Sequence, residues 1–179
     1  MVKVLYALLL RWGNGDMSEI RPLLESDLEM MLGWRNQESV RRSMYTQHEI
    51  SPEEHLAWFR ASVGNQKRHL LIYEEEAPLG FVNITEIRTG GIAEWGFYTS
   101  PDAPPGTGSR MGKAALDYAF NQLKMHRLQG EALSTNIASV RFHEKLGFIR
   151  EGVLRDHFYD GNTYADVICF GMLADDWLG

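Results

Sequence analysis

The chain has 179 residues, 44% hydrophobic and 23% charged, the balance of one soluble globular domain large enough to bury a core. Its net charge of −6, from 24 acidic and 18 basic residues, argues against nucleic acid as a partner and leaves room for a small phosphorylated ligand in a local basic pocket. The single cysteine, Cys169 in "DVICFGM", excludes an internal disulfide and reads as a buried strand thiol, which fits a reducing cytoplasm.

The apolar opening "MVKVLYALLL" is too short to span a bilayer, and only "RWGNGD" follows where a small-residue cleavage site would stand. No membrane partner is expected. Met17 opens "MSEIRPLLESD", which looks like a domain start, so residues 1–16 are expected to be an N-terminal extension and 17–179 one domain.

"EIRPLL" (19–24) reads as a strand. Ser26 is a candidate N-cap for a helix through "DLEMMLGWRN", with Asp27 and Glu29 in its first turn. "SPEEHLAWFRASV" (51–63) predicts a second helix, with Ser51 as cap and Pro52 at the first helical position. Three antiparallel strands should follow over 69–75, 80–87 and 92–100, separated by "EAPL" and "TGG" turns. A helix is predicted over about 109–125, a strand over 127–133, and a helix over 136–147 stopped by Gly147. Two strands around "DGN" make a final hairpin, whose edge offers a surface for a homodimer. The sum is one α+β domain with a mixed, mostly antiparallel central sheet flanked by helices.

The stretch "PPGTGSRMGKAALDYAF" (104–120) places three glycines and a lysine before an amphipathic helix. It is not a P-loop: Thr107 stands where the first glycine is needed and Ala114 follows Lys113. It is not a dinucleotide fingerprint either, because Met111 holds the third glycine position after Gly106 and Gly108. The physics of the junction remains. A helix N-terminus presents unpaired N–H groups and roughly half a positive charge, glycines admit close backbone approach, and Arg110 and Lys113 add formal charge. A pyrophosphate fits such a cradle; a plain turn before a surface helix is the alternative.

A second segment, "STNIASVRFHEKLGF" (134–148), carries Asn136, Ser139, Lys145, Gly147 and Phe148 between two strands. In this order, the two segments resemble the GNAT superfamily of acetyl-CoA-dependent N-acetyltransferases. The resemblance covers residues 19–177. It implies acetyl-CoA as cosubstrate, its pyrophosphate gripped by the loop Gly106, Thr107, Gly108, Ser109, Arg110, Met111, Gly112 and Lys113. It implies its other side lined by Asn136, Ser139, Phe142 and Lys145. The superfamily's loop pattern, Arg/Gln-x-x-Gly-x-Gly/Ala, would put Thr107 at its basic position and Arg110 at its first glycine. The segment "EKLGFIREGVLRDHFYDGNTYADVICFGML" resembles the branch containing ribosomal-protein Nα-acetyltransferases. Trp-Arg-Asn (34–36) and His-x-x-Trp-Phe (55–59) are similar to enzymes of pseudaminic acid synthesis, which acetylate the 4-amino group of a UDP-linked dideoxy aminosugar (UDP-4-amino-4,6-dideoxy-N-acetyl-altrosamine).

Acetyl transfer to an amine requires a polarised thioester, a deprotonated amine, alignment of the two, and a proton for the departing thiolate. The resemblance places the pantetheine arm along "EWGFYT", so Phe97 and Thr99 join the cofactor set. Alternation puts Glu94, Gly96 and Tyr98 on the opposite face. Glu94 is the candidate base and Tyr98 shapes the acceptor pocket or carries a water; a structural carboxylate and a packing ring are the alternatives. Many relatives carry a tyrosine acid four residues before the Gly-Phe glycine. His143 stands there and is the candidate acid, or a surface histidine of an amphipathic helix. Arg35, Met44, His48 and His55 are the candidate acceptor residues, with Arg35 and His55 meeting a UDP pyrophosphate. Trp34, Trp58 and "VRR" (40–42) read as packing and a solvated helix end. The six histidines show no ligand spacing, so no metal is expected. A protein or peptide N-terminus and an amino antibiotic are alternative acceptors. A non-catalytic acyl-CoA-binding regulator is the alternative of another class.

Overall fold

The computed structural model describes residues 19–177; the expected extension over 1–16 lies outside them. Seven strands form one sheet in the order β1-β2-β3-β4-β5-β7-β6. They are β1 Glu19–Pro22, β2 Arg68–Glu74, β3 Pro78–Arg88, β4 Ile92–Thr99, β5 Arg127–Leu133, β6 Ile149–Tyr159 and β7 Tyr164–Leu173. The helices are α1 Leu28–Arg35, α2 Glu38–Arg41, α3 Pro52–Val63, α4 Thr107–Asp117 and α5 Ile137–Leu146. No helix among the described residues is long and apolar enough to cross a membrane.

Burial on two faces explains the continuous apolar run of β2. Leu70 and Ile72 face a core shared with Leu28, Met31 and Phe59 of α1 and α3. Leu71 and Tyr73 face the larger core shared with Met111, Leu116 and Leu146 of α4 and α5. On β4 the expected alternation is seen: Trp95 and Phe97 pack toward α4 and α5, and Tyr98 packs toward the α1–α3 side.

Three local expectations change. Ser26 does not cap α1; residues Glu25–Asp27 form a 3₁₀ turn, and Asp27 accepts the Leu24 N–H at 2.9 Å while pairing with Arg21 at 2.7 Å. The Arg21 guanidinium holds the Asp27 carboxyl below its usual range. An extra short helix, α2, follows α1. The helix expected over 109–125 starts at Thr107 and relaxes into one π turn over Tyr118–Gln122, where Leu123 N–H reaches Tyr118 C=O at 2.9 Å. Ser51 does cap α3, accepting the Glu54 N–H at 3.1 Å.

One feature of the sheet positions everything that follows. All neighbouring strands are antiparallel except β4 and β5. A parallel pair needs a crossover, which α4 supplies. Pairing covers only Ile92–Arg127, Ala93–Leu128 and Glu94–Gln129. Beyond it β4 continues to Thr99 against β3 and β5 to Leu133 against β7. The two strands fork at Trp95 and Gly130, and the β5-facing edge of β4 from Trp95 to Thr99 has no ladder partner among the described residues.

Candidate active site

The fork opens toward the N-terminus of α4. Gly106 caps that helix with φ 88°, a left-handed conformation that glycine adopts without strain. The Thr107 N–H and hydroxyl both donate to Pro104 C=O, at 3.1 and 2.8 Å. The amides of Gly108 and Ser109 lie in the first turn of α4, at its positive end. No acidic residue occupies that first turn. This backbone cradle suits a diphosphate.

The side chains of the segment divide differently from the expectation. Thr107 is buried and braces the turn. The Arg110 guanidinium is turned to Glu75, at 2.7 and 3.3 Å, and Glu75 also accepts the Tyr73 hydroxyl at 2.8 Å. Gly112 is a helix-packing glycine: a Cβ there would lie 2.7 Å from Leu146 and 2.8 Å from Phe142 of α5. Met111 is fully buried yet borders the cleft. Lys113 and Lys145 are exposed and outside the cleft lining, as is exposed Gly106.

A cleft of 520 Å³ runs from the α4 N-terminus along the free edge of β4. Phe97, Thr99, Gly108, Asn136, Ser139 and Phe142 border it with Met111, so the structure brings together seven of the candidate cofactor residues from three distant segments. Asn136 caps α5 by accepting the Ser139 N–H at 3.1 Å.

His143 is not at the cleft. It is 1% exposed, stacked on Phe170 with centroids 4.7 Å apart. Its Nδ1 lies 2.8 Å from Ser139 C=O and its Nε2 lies 3.3 Å from Trp95 Nε1. A carbonyl can only accept and an indole N–H can only donate, so the ring is the neutral Nδ1–H tautomer with both nitrogens occupied. Burial pushes its pKa down, against the opposing effect of the Ser139 carbonyl. This geometry does not support the acid role expected from its position.

A smaller cavity of 260 Å³ adjoins the fork and shares part of the larger one's lining. Glu94 and Met44 border it with four residues the sequence reading missed: Tyr45, Asn83, Gln129 and Glu131. The Tyr45 hydroxyl donates to the Glu131 carboxylate. Burial, then this bond, raises the Tyr45 pKa. Glu131 and Met44 border both cavities, whereas Glu94 borders only the smaller one. Tyr98 borders the larger cleft, and burial raises its pKa, so its hydroxyl stays protonated. No motif marks Glu131; only its register, two residues past the last parallel pair, brings it there.

The remaining acceptor candidates, Arg35, His48 and His55, line neither cavity. Arg35 Nη2 donates to Thr46 C=O at 2.8 Å and Arg41 Nη1 to Gln47 C=O at 3.5 Å, so both arginines brace the segment carrying Met44 and Tyr45. Arg35 Nη1, Arg41 Nε and His55 Nε2, like Arg68 Nε, are buried without a hydrogen-bond partner among the described residues. His55 is 5% exposed and stacks on Trp58 at 5.4 Å. Burial and then the Arg35 charge lower its pKa. His48 is exposed and meets the Glu54 carboxylate at 3.1 Å instead. No group of three or more His, Cys, Asp or Glu side chains able to hold a metal occurs among the described residues.

A seven-stranded sheet whose one parallel pair forks over a glycine-opened helix is the architecture of coenzyme A-dependent acetyltransferases. The chain belongs to the GNAT acetyltransferase family, whose "Acetyltransferase (GNAT) domain" matches residues 19–149. It is 25% identical over 127 residues to "Acetyltransferase PseH" of Campylobacter jejuni, covering 70% of this chain and 79% of that protein. It is 26% identical over 163 residues to the spermidine N(1)-acetyltransferase of Escherichia coli K12, covering 89% and 88%. Its fold matches the crystal structure of Vibrio cholerae spermidine N-acetyltransferase in complex with CoA and spermine, with TM-score 0.84 at 23% identity over 91% and 99% of the two chains. The protein is an acetyl-CoA-dependent N-acetyltransferase.

Proposed function

We propose that the acceptor is the 4-amino group of a UDP-linked 4,6-dideoxy aminosugar, acetylated by direct attack on acetyl-CoA. One observation carries this reading: the buried Arg35 Nη1, Arg41 Nε and His55 Nε2 have no hydrogen-bond partner among the described residues. Buried donors without partners cost free energy, and a diphosphate supplies several acceptors at once. A purely cationic acceptor would bring only more positive charge to Arg35 and Arg41. The resemblance to PseH supports the same assignment.

Acetyl-CoA supplies an acyl group activated as a thioester. The α4 amides of Gly108 and Ser109 hold its diphosphate, and the unpaired edge of β4 from Trp95 to Thr99 offers hydrogen bonds to its amide arm. Met44, between the two cavities, covers the acceptor's base. Glu131 takes the ammonium proton, directly or through water, because it alone of the two carboxylates borders both cavities. The Tyr45 hydroxyl orients it. Glu94 acts from further out, and Tyr98 shapes the wall between them.

A second reading takes a polyamine as acceptor. The pair Glu94 and Glu131 in the smaller cavity favours a cation, and relatives named as spermidine acetyltransferases support it. Free-thiol release with acetyl-CoA and, separately, the UDP-4-amino-4,6-dideoxy sugar, spermidine, a ribosomal N-terminal peptide and an aminoglycoside decides. Turnover with the sugar and little with the others is expected; turnover with spermidine alone overturns the first reading.

A further inference from the structure

The fork needs something to keep it open. Strands that pair for three residues would gain hydrogen bonds by zipping further, so a physical obstacle must stand at the branch point. Trp95 and Gly130 are the first residues past the last pair, Glu94–Gln129. The Trp95 indole is 6% exposed and crosses Gly130 to reach His143. A Cβ on Gly130 would lie 2.6 Å from both Trp95 Nε1 and His143 Nε2, so residue 130 carries no side chain because the bond between those rings occupies its place.

The rings are locked on every side. His143 lies flat on Phe170 and edge-on to Trp95, Phe142 and Phe148. Trp95 stacks on Phe148 at 5.2 Å and meets Phe97 at 4.8 Å. On its far side, His143 Nδ1–H holds Ser139 C=O, in the turn that Asn136 caps. A continuous chain of hydrogen bonds therefore runs from β4 through His143 to the N-terminal turn of α5. Trp95, Asn136 and Ser139 all border the larger cleft, and Trp95 borders the smaller one as well.

We propose that His143 is a positioning residue: as a neutral ring bridging Trp95 and Ser139, it props the β4–β5 fork open and fixes α5 at the width coenzyme A needs. It acts through Trp95 and never exchanges a proton with substrate. The inference rests on the acetyltransferase reading only in taking coenzyme A as the occupant of the fork.

Calorimetric CoA binding and ¹⁵N NMR of the histidine rings test it without any acceptor. Wild type should bind CoA and show the His143 ring as a neutral Nδ1–H tautomer at pH 7. His143→Leu keeps bulk but removes both bonds and should weaken CoA binding about 10-fold, with altered tryptophan near-UV circular dichroism. His143→Gln carries one donor and one acceptor and should restore affinity to within about 3-fold. Should His143→Leu fail to fold, Trp95→Phe removes the donor and keeps a ring, and the same 10-fold weakening is expected. An imidazolium at pH 7, or unchanged CoA affinity in Trp95→Phe, overturns the proposal. No CoA binding by folded wild-type protein would instead sink the assignment of the fork to coenzyme A.

Discussion

A methyl group added at Gly108 would meet only the edge of Phe142, 3.8 Å away, whereas one at Gly112 would press into Leu146 and Phe142 within 2.8 Å. Sequence shows Gly108 and Gly112 in one loop; the structure separates a cleft-bordering position from a helix-packing one. Gly108→Ala should raise unfolding free energy by up to about 1 kcal/mol, from helix propensity, while weakening CoA binding. Gly112→Ala should lower it by about 1–3 kcal/mol through overpacking. Urea unfolding with CoA calorimetry on both variants checks the pair, and equal destabilisation would contradict the division. At the carboxylates, Glu131→Gln should cut kcat by about 100-fold and Glu94→Gln by less than about 10-fold in the thiol-release assay. The reverse order would return the base role to Glu94.

At the scale of elements, the N-terminus of α4 makes opposite demands on ligand and fold. A carboxylate there stabilises the helix, by roughly 0.3–1 kcal/mol, and repels a diphosphate. Ser109→Glu should therefore raise the KM for acetyl-CoA at least about 10-fold without lowering the thermal midpoint. A fall in both would mean the side chain packs rather than borders the anion site. Helix and strand order were legible because their signals are local: alternation in β4, the Ser51 cap, the Gly147 stop. The Arg110–Glu75 pair spans 35 residues and the Tyr45–Glu131 contact spans 86, so no window of sequence contains either. The sequence around His143 displays only its own helix, which is why it suggests an amphipathic-helix surface or an acid. What encloses it comes from β4 and β7, and burial turns a would-be proton donor into a neutral bridge. The missed cap at Ser26 has a similar cause: the Asp27 carboxylate, anchored by Arg21, took the Leu24 amide first.

For the molecule as a whole, acid should loosen the fold at a pH the histidines set. Burial lowers the pKa values of His55, His69 and His143 below their ordinary 6.5. A group with a depressed native pKa contributes stability that is complete above the unfolded value and lost as pH falls toward the native one. The urea midpoint should therefore hold steady above about pH 6.5 and decline beneath it, and His143→Gln should flatten that decline. A midpoint independent of pH between 6.5 and 5 would show that the rings remain hydrated and titrate normally.

The parting of β4 from β5 carries a consequence for how such a protein changes over generations. Apart from the Trp95–Gly130–His143 contact at its branch point, a gap between two main chains binds through backbone groups, so mutation can rewrite much of the remaining surface without losing the donor molecule. The 36–50 segment, braced by Arg35, Arg41 and Asn36 through its own carbonyls, forms part of the opposing wall and is free to vary independently. Innovation in the choice of amine should accumulate in that short stretch, and grafting it between relatives is the economical way to move specificity.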